Sequence, residues 1–411
     1  MTTTADIIAA HDQYLSPNYG RYPVAMVQGR GTQITDAEGN SYLDLFAGFG
    51  GPLLGHCHPE LVAALTRQAN TLWFAGNLFH TEPQTQLATA IARHGFGGQS
   101  FFCHSGADAN EAAIKLARLH GREQPGPAGP RFKIISATQS FHGRTFATMA
   151  ATGQPKVGQL FEPLPPGFTH VPYNDINAIE RAIDEQTAAV LLEPIQGEGG
   201  INVPDDHYLP AVRKLCDEHN LLLIVDEVWT GCGRTGRYFA HQHYGITPDV
   251  MTLAKGVGGG LPVGVCCARP EVAALFDHRQ HGGAVHATTL GGNCLAMAVA
   301  ATIFQVIERD KLVEHAATLG QQAIERLTAF AADLPAIRQV RGKGLFIGIE
   351  LDPSATGAWF KNAGEVVNRC RENHVLINAA QNNVLRLAPA LTIEPEQLNQ
   401  GLTILEQVID G

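Results

Sequence analysis

Five apolar residues, Leu221-Leu222-Leu223-Ile224-Val225, run directly into the acids Asp226-Glu227. A short branched run bounded by charge reads as a buried strand. A second short run, Val250-Met251-Thr252-Leu253, is followed by Ala254-Lys255 and the turn Gly256-Val257-Gly258-Gly259-Gly260. Ligands of open α/β sheets bind outside the carboxyl ends of the strands. The fold must therefore be one in which Asp226 and Lys255 can meet at one sheet edge.

Strands are expected over 100–103, 132–136, 189–192, 221–225, 250–253 and 263–268, alternating with helices over 110–119 and 209–218. That alternation predicts a mainly parallel sheet with helices on both faces, in a large domain over 51–305. Beyond about residue 305 the texture changes. Amphipathic helices over 300–308 and 316–330 precede strands over 344–351, 375–378 and 384–388, which predicts a smaller α+β domain over 306–411. Residues 1–50 carry a hairpin-like pattern from Thr32 to Asn40, turning at Glu38-Gly39-Asn40, and are expected to pack beside that small domain. The stretch from Gln124 to Pro130 alternates proline and glycine and reads as a loop.

The chain has 411 residues, long enough for a large core in two domains. Its 45% hydrophobic and 17% charged content is that of a globular protein. A formal charge of −10, with basic residues dispersed, argues against nucleic acid or an anionic membrane as partner. The amino terminus lacks a secretory pattern. The longest apolar stretch, 294–304, is shorter than the ~20 residues that span a bilayer. Eight cysteines without CxxC spacing suit reduced thiols in a cytoplasm.

Lys255 has no helical charge pattern around it, and a desolvated lysine becomes nucleophilic. An isolated loop lysine bonded to a sheet-edge carbonyl would be unremarked, but beside Asp226 it suits pyridoxal phosphate, the lysine holding the cofactor and the aspartate its protonated ring nitrogen. Asp226 and Glu227 point to opposite faces of a strand, so only one can meet a given ligand. A Walker-B reading lacks any GxxxxGK[ST] partner. Ser105-Gly106-Ala107-Asp108 lies between a strand and a helix, where a capping box and a phosphate cradle use the same geometry. In Ser140-Phe141-His142-Gly143-Arg144-Thr145 an aromatic and an arginine flank a glycine turn, either an ordinary loop or a stacking and carboxylate-binding pair. Glu193 and Glu198 follow another strand. Arg386, inside Val384-Leu385-Arg386-Leu387, requires a carboxylate partner from protein or substrate. The histidines at 56 and 58, 241 and 243, and 281 and 286 lack a second half at zinc-site spacing, so no metal is assigned.

Over nearly its whole length the chain resembles the class III (ω-amino) aminotransferases of the fold type I pyridoxal phosphate enzymes. The resemblance rests on Gly55-His56-Cys57-His58-Pro59, Ser105 to Lys115, Phe141 to Arg144, Glu193 to Gly200, Asp226 to Gly236, Ala254 to Pro262, Thr288 to Asn293 and Leu385 to Pro389, in order and spacing. Segments 77–84, 170–175 and 385–389 are nearest to acetylornithine aminotransferases. The resemblance implies a seven-stranded-type sheet in the large domain and a cytoplasmic homodimer with active sites at the subunit interface. Lys255 resembles the lysine that carries the cofactor and Asp226 its ring-nitrogen partner. Ser105, Gly106 and Ala107 resemble the phosphate turn, Phe141 and Val228 the two ring faces, and His142 a further cofactor neighbour. Thr289 resembles the threonine that reaches the phosphate from the other subunit. Arg144, Arg386 and Glu198 resemble the substrate-binding set, Glu198 pairing with Arg386 when an ω-amino donor is bound.

The activity so implied moves the ω-amino group of N-acetylornithine to 2-oxoglutarate, giving the semialdehyde and glutamate, as in arginine biosynthesis. Succinylornithine, ornithine, 4-aminobutyrate or another ω-amine is the alternative donor. A mutase or decarboxylase on the same fold would keep Lys255 and Asp226 without needing an acceptor, and a non-enzymatic sensor or scaffold would give no turnover. Two places depart from the family pattern. Trp229 stands where relatives usually carry a glutamine, and Phe46-Ala47-Gly48-Phe49-Gly50-Gly51-Pro52 replaces a common Gly-Ile-Ala-Val at the substrate mouth.

Overall fold

The computed structural model describes residues 3–411. Its central sheet has seven strands in the order Gln99–Cys103, Gly264–Ala268, Val250–Leu253, Leu222–Asp226, Thr187–Leu192, Lys133–Ala137 and Phe168–Val171. Gly264–Ala268 runs antiparallel to both neighbours, and every other pairing is parallel. The three middle strands are buried along their full length. Alternate side chains serve opposite layers, as the period of two requires. Leu222, Ile224, Ala189 and Leu191 pack toward the helix Gly106–Glu123. Leu223, Val225, Val190 and Leu192 pack toward Tyr208–Glu218.

The former helix presents Ala109, Ala112, Ala113 and Ala117 to the sheet, all fully buried. Small side chains let it lie close, so its amino terminus reaches the carboxyl edge of the strands. The edge strand Phe168–Val171 was not anticipated. Its middle residues are exposed, so it lacks the apolar run that marks the others.

Cys294–Arg309 begins earlier than the expected 300–308 and packs on Pro59–Ala69 and Glu82–His94. Leu312–Ala332 and Ala363–Glu372 pack on an antiparallel sheet ordered Ile337–Lys343, Phe346–Leu351, Val384–Leu387 and Asn378–Ala380, and Pro395–Asp410 packs against both of those helices. The single strand expected over 375–378 is divided. Val375–Leu376 pairs in parallel with Ser41–Asp44 of the amino-terminal sheet, and Asn378–Ala380 pairs with Val384–Leu387. In the hairpin Gln33–Asp36/Ser41–Asp44, Asp36 Oδ1 accepts the N–H groups of Glu38 and Asn40, and Gly39 takes φ +89°.

Candidate active site

Asp226 ends its strand in register with Thr252 of the neighbouring strand, so the two chains leave the sheet side by side. Lys255 follows, with a left-handed φ of +48°. A non-glycine residue held there is strained, and such strain gathers at functional sites. Burial brings the Lys255 amine down to about 8, partly offset by the carboxylates of Glu198 and Asp226.

Asp226 is 4% exposed. Its Oδ2 accepts Asn110 Nδ2 and His142 Nδ1, both at 2.8 Å, and its Oδ1 accepts the Val228 N–H at 3.0 Å. Asn110 Oδ1 in turn accepts the Thr252 hydroxyl at 2.8 Å. The carboxylate is thus fixed from three elements. Glu227 points away, accepting from Thr230, Ala240 and His241, and so organises the following turn instead of the site.

Asp226 and Lys255 open on one cavity of about 370 Å³, which Ser105, Gly106, Ala107, Phe141, His142, Arg144, Glu198 and Val228 also line. Ser105 caps its helix by accepting the Asp108 N–H at 3.2 Å. The first amides of that helix have no intrahelical acceptor, and a helix amino terminus lining a cavity suits an anion. A Cβ on Gly106 would come within 2.9 Å of Val228, so glycine allows this close approach. Phe141 is set by its N–H, which donates to Glu193 Oε1 at 2.7 Å, while Glu193 Oε2 accepts the Gly197 N–H at 2.9 Å. Burial raises the Glu193 carboxyl to about 7. Arg144 is exposed beside Phe141, its Cζ 5.4 Å from the ring centroid. An anion cradle, two apolar walls, a buried carboxylate and a facing lysine fit a flat, phosphorylated, nitrogenous ring such as pyridoxal phosphate.

Two expected site residues lie off this cavity lining. Arg386 is 1% exposed behind it and pairs with Glu198 at 3.0 Å. Its guanidinium also donates to Asn378 Oδ1 and to the Gly197 carbonyl. Burial holds that guanidinium below its ordinary pKa, the Glu198 charge opposing the shift. Thr289 is exposed and lines no part of the cavity of its own chain. Its neighbour Thr288 places Oγ1 3.2 Å from the ring nitrogens of His104, a lining residue.

Residues 14–409 match the family model for aminotransferase class-III. The chain belongs to the class III aminotransferases. It is 45% identical over 403 residues to an acetylornithine aminotransferase of Caldanaerobacter subterraneus subsp. tengcongensis, covering 98% of this chain and 99% of that relative. The ornithine aminotransferase of Toxoplasma gondii superposes with a TM-score of 0.92 at 33% identity, covering 100% of this chain and 95% of that one, and holds pyridoxal phosphate at partial occupancy in its active site. An acetylornithine aminotransferase of Elizabethkingia anophelis superposes with a TM-score of 0.84 at 32% identity, covering 100% and 99%.

Within this class III aminotransferase, several contributors escaped the sequence. Asn110 stands among alanines with nothing to announce it, yet it links Asp226, Thr252 and the His142 carbonyl. Glu193 was visible only as an acid after a strand. The two departures from the family pattern meet in space. Trp229 packs with Phe46 and Phe49 at centroid distances of 6.2 and 6.1 Å. Those contacts close the wall next to Arg386.

Proposed function

We propose that this aminotransferase uses pyridoxal phosphate to move the ω-amino group of N-acetylornithine, or of a closely related ω-amino acid, to 2-oxoglutarate. The observation that carries the reading is the Glu198–Arg386 pair beside the Lys255/Asp226 cavity. A cation that a carboxylate of the protein can cover or expose suits two substrates, only one of which brings a carboxylate there. The 45% identity to an acetylornithine aminotransferase over 98% of the chain supports that donor. The likeness to an ornithine aminotransferase favours ornithine as the second reading.

When bound, pyridoxal phosphate supplies an electron sink and a carrier for the amino group. The amides of Gly106 and Ala107 would hold its phosphate, Phe141 and Val228 its ring faces, and the Asp226 carboxylate its protonated ring nitrogen. Three hydrogen bonds hold that carboxylate in place. Lys255 Nζ, with a pKa of about 8, gives and takes a proton near neutral pH, as general acid–base work requires. Arg386 receives a substrate carboxylate once Glu198 withdraws, and Arg144 offers a second cation at the mouth.

The proposal extends to a homodimer in which Thr289 serves the partner's phosphate position. Leu72, Trp73, Phe74, Leu78 and Phe79 are exposed apolar residues near in sequence to Asn77, which donates to the Thr288 and Gly291 carbonyls. A patch of that kind marks an interface. Eight free thiols suit a reducing cytoplasm.

A half-reaction panel tests the donor. Purified enzyme is mixed with acetylornithine, ornithine, 4-aminobutyrate and simple amines while the cofactor absorbance is followed. Acetylornithine should bleach the bound chromophore fastest, and 2-oxoglutarate should restore it. Failure of acetylornithine to bleach it removes this donor, and turnover without acceptor removes transamination.

A further inference from the structure

We propose that Trp229 is a positioning residue for Lys255, its indole face being the seat of the lysine amine whenever that amine is not bonded to the cofactor. The proposal rests on reading Lys255 as the cofactor-bearing lysine. Lys255 Nζ stands 3.9 Å from the Trp229 ring centroid. Among the described residues no side chain or carbonyl accepts a hydrogen bond from Nζ, so the ring is its close partner. Indole is the strongest of the aromatic partners for a cation, and desolvation strengthens the attraction.

The ring cannot turn away. Trp229 is 7% exposed, and its two edges fit against glycines. A Cβ on Gly50 would lie 2.6 Å from Nε1, and one on Gly197 would lie 2.5 Å from Cε3. Phe346, at 5.2 Å between centroids, backs it as well. Its single hydrogen-bonding atom, Nε1, is buried without a partner and lies toward Gly50. A buried N–H without an acceptor is unfavourable, so what this position contributes is the π face. A glutamine, which the family resemblance leads one to expect here, would offer a dipole in its place.

Other charges bear on the same amine. Glu198, Asp226 and Glu193 favour its ammonium form, while Arg386 and burial oppose it. Arg386 also lies on this indole, with Cζ 4.7 Å from a ring centroid. Both the lysine amine and the carboxylate-binding arginine therefore lie against this one indole. It provides a fixed place to which the free amine returns in each cycle.

The test measures the protonation of Lys255 in full-length enzyme whose cofactor is in its amine form, which leaves the lysine free. Competitive acetylation with acetic anhydride across pH, read by mass spectrometry on the Lys255 peptide, gives its apparent pKa. Trp229→Leu should lower that value by ~0.5–1 unit and Trp229→Phe by less, because a face remains. A shape-conserving series decides the matter even if the leucine variant does not fold. Fluorinated tryptophans replacing Trp73, Trp229 and Trp359 should lower the Lys255 pKa stepwise with each fluorine. The same series in Trp229→Phe should be flat. No shift on fluorination, or an equal shift in both backgrounds, overturns the proposal. Failure of the underlying reading shows separately: borohydride reduction of the native enzyme would then leave the cofactor mass off the Lys255 peptide.

Discussion

Glu198 Oε1 stands 3.0 Å from Arg386 Nη1, and the two side chains are unequally exposed, 28% against 2%. Arg386 is fixed on a central strand of its sheet by Asn378 and the Gly197 carbonyl. Glu198 lies in a loop with Gly197, Gly199 and Gly200 on either side. The carboxylate is therefore the partner free to move. Glu198→Ala leaves a buried cation uncovered when the donor has no carboxylate to offer. The ω-amine half-reaction should slow by ~10–100-fold, while the half-reaction with glutamate changes by less than ~3-fold. Stopped-flow absorbance on each half-reaction measures this, and equal losses would count against the gate.

Lys255 gives a stability signature in cofactor-free protein. Its folded pKa, about 8, lies below the ordinary value of 10.5. The unfolded chain binds the extra proton between those values, so stability rises with pH across that window. The cost of burying the ammonium is fully present below about 8 and is relieved toward 10.5. Lys255→Met should therefore be the more stable protein at pH 7, by up to ~3 kcal/mol. Its advantage should shrink as urea unfolding is repeated at pH 9 and 10. A constant difference across pH would point to packing instead of charge.

Asp226 and Asn110 can be separated by their effects. Asp226→Asn keeps the shape and removes the charge that a protonated ring nitrogen requires. Cofactor should still bind, with kcat down by on the order of 10²–10³-fold. Asn110→Ala strips partners from Asp226 Oδ2, the Thr252 hydroxyl and the His142 carbonyl in a buried site. It should cost about 2–3 kcal/mol of stability as well as cofactor affinity. Melting curves alongside cofactor titration distinguish the two patterns, and an unaltered melting point in Asn110→Ala would refute the bridging role.

The sheet and its edge were legible because burial on both faces forces continuous apolar runs, as at 221–225, and those runs end where Asp226 and Lys255 begin. The strand Phe168–Val171 left no such trace, since an edge strand buries little. The strand expected over 375–378 could not be divided from its composition. A crossing at Ile377 between two sheets is set by two different pairings, one with Leu43 far along the chain and one with the hairpin strand that begins at Val384. Trp229 was conspicuous as a residue type, but its meeting with Phe46, Phe49 and Arg386 depends on the loop over 46–52 folding back onto the site. Ala47 and Phe49 sit there at positive φ. Asp44 makes that possible by accepting the Phe46 and Ala47 N–H groups at 3.0 and 2.8 Å, a local bond that no periodicity reveals.

Thr289 is exposed and lines no part of its own chain's cavity, which is the arrangement a residue acting across an interface should have. Thr289→Ala should weaken cofactor retention by ~10–100-fold, the loss of one hydrogen bond to a charged group. A mixed dimer shows which subunit it serves. When a Thr289→Ala subunit is paired with a Lys255→Met subunit, action across the interface leaves one site with both Lys255 and Thr289 intact. That site should retain cofactor as tightly as the unmodified enzyme and recover about half its activity per dimer. Were Thr289 to act within its own chain, every site of the mixed dimer would carry a defect, and tight retention would not return.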